Sequence, residues 1–306
     1  MAGKNILSVP VVDLQPGNLP TSDFLQHISI SNSRVIDFLR AYHLLDQHED
    51  ARNCTWCIGE MKGYIRREQY GSRGLVKRCK NIECRAIQPV LFVDLNGRTN
   101  SNLSLCSIFD IIYFFVNRTR IGVVRMWTQL SYGTIMIWFD RLREICSEII
   151  RPQDHGRQAR TRMIGDAESP IQIEDWMSPE NHEGNIDGPW IYGLKHKLDY
   201  RFITVDNRSR TVLVDIIQQN CTPGSHIRSE IVSYDSPAYP QLEDLGYVHH
   251  TATDMNAIAI PSLRGVPFDL IQAHLDFFSW RKLRRGQGEN DLFIALLKDI
   301  RAICNQ

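Results

Sequence analysis

Four cysteines, Cys54, Cys57, Cys79 and Cys84, are spaced as C-x2-C, a gap of 21 residues, then C-x4-C. No other feature limits so tightly what this chain can fold into. Each pair lies within one tight turn and offers two sulfurs to a common point, which is how a tetrahedral zinc site is assembled from two short segments. The plainer reading is four unrelated buried thiols. The gap holds Lys62, Arg66, Arg67, Arg73, Lys77 and Arg78, with Lys80 and Arg85 just beyond. A small zinc-stapled hairpin with this many cations is suited to a polyanion.

The other cysteines, Cys106, Cys146, Cys221 and Cys304, lie among apolar neighbours and read as free buried thiols. The first residues lack an apolar core of signal-peptide length, and no segment has the roughly 18 apolar residues of a membrane span. An intracellular compartment is therefore expected, nuclear if the host is eukaryotic, and a reducing interior favours metal over disulfide. The formal net charge of +0 hides a division. Residues 51–163 carry 19 Lys+Arg against 9 Asp+Glu, residues 1–50 carry 3 against 6, and residues 164–306 carry 13 against 20. A basic block between acidic ends points to a nucleic-acid-binding middle and to a C-terminal part able to hold divalent cations. An uneven solvated surface is the bland alternative.

Residues 1–50 read as a helical segment, with a helix over 31–45 packing on the zinc module, and 51–95 as the zinc ribbon. Over 100–150, three helices are expected: a largely buried one from Leu103 to Arg118, then two separated at Ser131–Thr134. In the last, Ile137, Trp138, Leu142, Ile145 and Ile149 line one side, and Asp140, Arg141, Arg143, Glu144 and Glu148 the other. A short turn before the last helix fits a helix-turn-helix; a plain bundle joining two domains fits equally well. Residues 151–169 form a polar linker. From 170 to 306, strands at 171–176, 189–196, 200–206, 226–231 and 247–252 mix with helices at 211–220, 237–246, 266–285 and 290–304. That pattern is an α/β layered domain.

Cys54 and Cys57 are followed by RCKNIEC (78–84), TIMIWFDRLREICSEII (134–150), IQIEDW (171–176), GPWIYGL (188–194), VDNRSRTVLVDII (205–217), CTPGSHIRSE (221–230), LGYVHH (245–250) and HLDFFSWR (274–281). Through these motifs the chain resembles the Merlin superfamily of DDE transposases, akin to ISXO-type insertion-sequence transposases. Each is weak alone; their order and spacing are specific and cover about residues 33–303. The resemblance implies an RNase H-like catalytic domain in which three carboxylates hold two Mg2+ or Mn2+ ions for in-line strand cleavage. It also implies double-stranded DNA as partner, terminal inverted repeats included, and leaves a homo-oligomer open.

Departures from the family pattern fall on the carboxylates. Where the family has Asp-Glu at its first strand, this chain has Glu174-Asp175; strand alternation sets Ile171 and Ile173 on one face and Gln172 and Glu174 on the other. Where the family has Ser-Asp, this chain has Ser229-Glu230, with Asp235 as a substitute. The family's third motif is missing; by spacing Asp269 or Asp276 is the candidate to stand in, and Asp276 matches the family's helix after the catalytic one, which implies a surface or packing role for it. A glutamate is one methylene longer than an aspartate, and two-metal chemistry needs ions about 3.5–4 Å apart, so such changes imply impaired catalysis. His249 and His250 read as a polar strand end, with a phosphate or metal contact as the other possibility. Three functions compete: a transposase-derived DNA-binding protein using Arg66, Arg67, Arg73, Lys77, Arg78, Lys80, Arg141 and Arg143; an active DDE transposase using Glu174, Glu230 or Asp235, and Asp269; and a non-catalytic relic that pairs with active relatives.

Overall fold

The computed structural model describes residues 25, 27–42, 44, 54, 56–65, 76–89, 103–152, 163–166, 168–177, 189–207, 209–230, 242–252, 258, 260–263, 265–287 and 291–304. The chain divides into two compact units, one of residues 1–139 with 290–306 and the other of residues 140–289.

Among the described residues, the first unit is helical apart from a small sheet. Helix α1 (Asn32–Ala41) starts at Ser31, whose hydroxyl accepts from the Arg34 N–H, and buries Val35, Ile36, Phe38 and Leu39 on one face. Strands β1 (Met61–Ile65), β2 (Val76–Cys79) and β3 (Ile87–Pro89) make an antiparallel sheet in the order β1-β2-β3. Helix α2 (Leu105–Val116) is capped by Ser104 and buried on nearly every side, from Ile108 through Val116. A helix this apolar has to be central. Edge-to-face rings tie its neighbours to it: Phe38 of α1 lies 5.3 Å from Phe109, and Phe293 lies 4.8 Å from Phe109 and 5.3 Å from Tyr113.

Helix α1 seats Phe38 against α2, and the Asn32 side chain accepts from the Cys106 N–H. One expectation is corrected by this packing. The C-terminal helix α7 (Leu292–Cys304), expected to complete the domain at 170–306, belongs to the first unit through Phe293. The amphipathic period of 290–304 announced a buried face; it could not say which core received it.

Helix α2 ends in a tight reversal. The Thr119 N–H reaches the Phe114 carbonyl at 3.0 Å and the Arg118 N–H the Phe115 carbonyl at 3.0 Å, with Arg118 at φ 55 in the left-handed position that glycine usually fills. Helix α3 (Ile121–Thr128) follows, then a turn at Gln129 with φ 57. Helix α4 (Tyr132–Ile150) is capped by Ser131, which accepts from the Thr134 N–H at 3.1 Å. The separation between the last two helices thus falls at 129–131, and residues 132–134 are its first turn rather than a linker. Its buried stripe is Ile135, Trp138, Phe139, Leu142, Cys146 and Ile150, with Ile137 exposed and Arg143 buried. Trp138 and Leu142 lie on the expected face, but the stripe is rotated toward 135, 139, 146 and 150.

The second unit is a five-stranded mixed sheet of β4 (Ile171–Met177), β5 (Trp190–His196), β6 (Asp199–Val205), β7 (His226–Glu230) and β8 (Val248–Ala252), in the order β6-β5-β4-β7-β8. Strand β5 runs antiparallel to both neighbours, whereas β4, β7 and β8 are parallel to one another. Helix α5 (Arg210–Asn220) sets Leu213, Ile216 and Ile217 on one face of the sheet, against Ile171, Ile173, Tyr192, Leu194 and Ile227. Helix α6 (Phe268–Gly286) sets Ile271 and Leu275 with Ile191, Tyr200 and Phe202 in a second core. Alternate residues of β5, Ile191 and then Tyr192, enter different cores, as a sheet covered on both faces requires. Residues 242–246 form a turn closing at Gly246, φ 82; the rest of the helix expected at 237–246 lies outside the described residues.

Buried polar contacts lock these layers. Asp276 is 0% exposed and takes a two-pronged ion pair from Arg151, with Nε contacts of 3.1 and 3.2 Å. Gln272 donates to Asp276 at 2.9 Å and to the Phe202 carbonyl at 2.7 Å, and accepts from the Thr204 N–H at 2.8 Å. The residue weighed as a stand-in metal ligand is thereby committed to holding α6 against β6.

Candidate metal centre and carboxylate positions

Two turns build the cysteine cluster. In the first, the Cys54 N–H reaches the Gly59 carbonyl at 2.7 Å and the Ile58 N–H the Cys54 carbonyl at 2.8 Å, with Ile58 at φ 60. In the second, the Cys79 N–H reaches the Ala86 carbonyl at 2.9 Å and the Arg85 N–H the Asn81 carbonyl at 2.9 Å, with Arg85 at φ 44. The Asn81 side chain also accepts from the Glu83 N–H at 3.0 Å. Strand β1 pairs Met61 with Cys79, which brings the turns together.

All four sulfurs then lie within 4.8 Å of one another, Cys54 to Cys84 at 3.7 Å and Cys57 to Cys79 at 3.4 Å. Metal–sulfur bonds near 2.3 Å at tetrahedral angles put sulfurs about 3.8 Å apart, so the cluster has the size and donor set for a metal such as zinc. Gly59 keeps the site open: a Cβ there would stand 3.2 Å from the Cys57 sulfur and 3.5 Å from that of Cys79. Without a cation the thiols compete for protons. Burial opposes the Cys54 thiolate, but N–H groups of Trp56 and Cys57 and the neighbouring thiols outweigh it and bring the thiol down to about 7. Burial pushes Cys79 up to about 12, reinforced by its sulfur neighbours. A cation replaces those shared protons, and binding therefore releases them.

Among the cationic candidates the outcomes differ. Lys80 is exposed and pairs with Glu60 at 2.6 Å. Arg66, Arg67 and Arg73 lie outside the described residues; Lys77 and Arg78 are placed only by the backbone of β2. Arg141 is half-buried on α4. Arg143, expected on the outer face, is 7% exposed and held by Asp140 one turn back. Burial lowers its pKa, against the pull of the Asp140 carboxylate. A stripe two residues wide cannot be resolved from a helical wheel, and the bundle chose the register that buries Arg143.

The carboxylates are less gathered. Glu174 is half-buried on β4, on the face opposite Ile171 and Ile173 as alternation requires. Its Oε1 accepts from Gln172 at 2.8 Å, and its two oxygens share the Ile258 N–H at 2.9 and 3.0 Å. Strand β7 pairs Ile173 with Ser229, so the next positions along these parallel strands are Glu174 and Glu230. The Glu230 side chain and all of Asp235 lie outside the described residues. Asp269 is exposed in the first turn of α6, and Asp276 is spent on Arg151. The cysteine set is the sole group of three or more metal-ligating side chains among the described residues.

His250 meets His226 rather than its neighbour His249, Nδ1 of His226 standing 3.3 Å from Nε2 of His250. The ring centroids are 5.4 Å apart and the planes 21° apart, and one ring nitrogen hydrogen-bonds the other across β7 and β8, whichever tautomer supplies the N–H. His249 has its pKa lowered by burial and by His250, against the pull of Glu243.

No family model matches this chain, and no curated protein matches it. No described helix is long and apolar enough to cross a membrane.

Proposed function

We infer that the chain is a transposase-derived DNA-binding protein: a zinc ribbon and a helix-turn-helix-like region bind duplex DNA, and an RNase H-like domain has lost efficient two-metal catalysis. The observation that carries the DNA-binding half is the closed cysteine cluster inside a block of 19 cations against 9 acids. Structural zinc gives such a hairpin a fixed shape, and the cations give it affinity for phosphate. The strand order β6-β5-β4-β7-β8, with β5 alone reversed and helices on both faces, supports the RNase H-like reading. The extra methylene at Glu174 and Glu230, where the family has aspartate, supports the loss of catalysis.

The test is the affinity of the zinc-loaded full chain for a mixed-sequence duplex across a salt series. A specific polyanion site gives an affinity that falls steeply with salt. No binding at low ionic strength removes this reading and leaves the relic. The active-transposase reading is favoured by one observation, the adjacent register of Glu174 and Glu230. It requires Mn2+- or Mg2+-dependent nicking by the full chain that disappears in Glu174→Ala; absence of nicking with either ion removes it.

A further inference from the structure

Helix α3 and the turns on either side of it use little of their surface for packing. Helix α3 has eight residues and buries only Val124. Trp127 leans one edge on Phe114, ring centroids 5.9 Å apart. A helix this short does not persist alone in water, so its outer face is presented by the helices that flank it. Val123, Met126, Trp127, Tyr132 and Ile137 are all exposed, Met126 at 71%. Exposed apolar side chains concentrated in one stretch of chain, residues 123–137, mark an interaction surface.

Charge identifies the occupant. From Ile111 to Phe139 the chain has three arginines, Arg118, Arg120 and Arg125, and no acidic residue. All three are exposed and none has an ion-pair partner among the described residues. Lys80, Arg143, Arg151, Lys197 and Arg201, in contrast, each hold a carboxylate. Arg118 also sits in the left-handed region at φ 55, where glycine costs least.

We propose that this part of the chain meets duplex DNA, with Arg118, Arg120 and Arg125 on phosphates and Met126, Tyr132 and Ile137 against sugar and thymine methyl groups of a groove. The proposal rests on the DNA-binding reading above and moves its contacts from α4's Arg143 to α3. An acidic protein partner is the competing occupant.

The experiment compares the zinc-loaded full chain with the triple variants R118A/R120A/R125A and R118K/R120K/R125K, and with M126Q/I137Q. The probe is a fluorescent 30-base-pair mixed-sequence duplex over a potassium chloride series, with circular dichroism melting as the folding control. Each phosphate contact contributes about 0.9 to the slope of log affinity against log salt, so the alanine triple should lose roughly 2 to 3 in slope and more than about tenfold in affinity at moderate salt, and the lysine triple should retain most of both. Wild-type binding that the alanine triple leaves unchanged, with the same slope, overturns the proposal while the DNA-binding reading stands. No wild-type binding at low salt overturns both. A change of oligomeric state in M126Q/I137Q with unchanged DNA affinity assigns the apolar part to a protein and likewise overturns it.

Discussion

The cysteine cluster and the carboxylates of the mixed sheet were both read from sequence as metal sites, and they diverge in the folded chain. The cysteines come from two turns joined by one antiparallel pairing, and their sulfurs stand 3.4 and 3.7 Å apart in pairs. The carboxylates come from β4, β7 and α6, which meet only after the whole sheet has formed. There, Glu174 hydrogen-bonds the Ile258 N–H, Asp276 pairs with Arg151, and Asp269 stays exposed. Ligands close in sequence are gathered by local turns whatever the rest of the protein does. Ligands from distant elements depend on every intervening packing choice, which here set a backbone N–H against Glu174 and a guanidinium against Asp276.

Breaking the cysteine side should have the largest effect. Cys79→Ser removes one of four thiolates, and structural zinc in small modules is worth roughly 10 kcal/mol or more at neutral pH. Bound zinc per chain should fall from one to none, and amides of β1 and β2 should lose their hydrogen-exchange protection while those of β4 and β5 keep theirs. Uniform loss across both units would show that the module is not independent of the sheet.

On the other side, Arg151→Ala should leave the Asp276 carboxylate buried without its cation. Breaking a buried pair costs about 3 to 5 kcal/mol, and the part-exposed Arg151 puts this one at the low end. Urea unfolding of Arg151→Ala beside Arg151→Ala/Asp276→Leu reads it: the double variant should recover much of the loss. If the single variant melts like wild type, Asp276 is not serving as a strut.

A third effect is tied to pH and to α2. Burial pushes Asp110 up to about 6, although Ser29 and Trp127 hydrogen bonds pull the other way. Its folded pKa exceeds its unfolded value near 4, so the folded chain holds the extra proton between these values. This group's contribution is therefore favourable at about pH 4 and is lost as pH rises through about 6, by roughly 2 to 3 kcal/mol in full. Asp110→Asn should flatten that slope. The wild-type-minus-variant difference in unfolding free energy, followed from pH 5 to 7.5, isolates it from the zinc, which both proteins share. Smallest is the cap: Ser104→Ala should cost about 1 kcal/mol, read as a lower melting temperature with unchanged zinc content.

Period and spacing alone located the pieces. The C-x2-C and C-x4-C turns, the strands at 171–176, 189–196 and 200–206, the mostly apolar α2 and the long amphipathic α4 follow from side-chain alternation, helical repeat and the reach of a tight turn. These are short-range properties, and short-range chemistry is written in neighbouring residues. Tertiary structure decided which neighbours the pieces received. It seated α7 by Phe293 on Phe109 and Tyr113, turned α4 so that Arg143 is buried, set His250 against His226, and spent Asp276 on Arg151. A buried face, a cation and a carboxylate each have several acceptable partners in one chain, and only close packing of the whole selects among them.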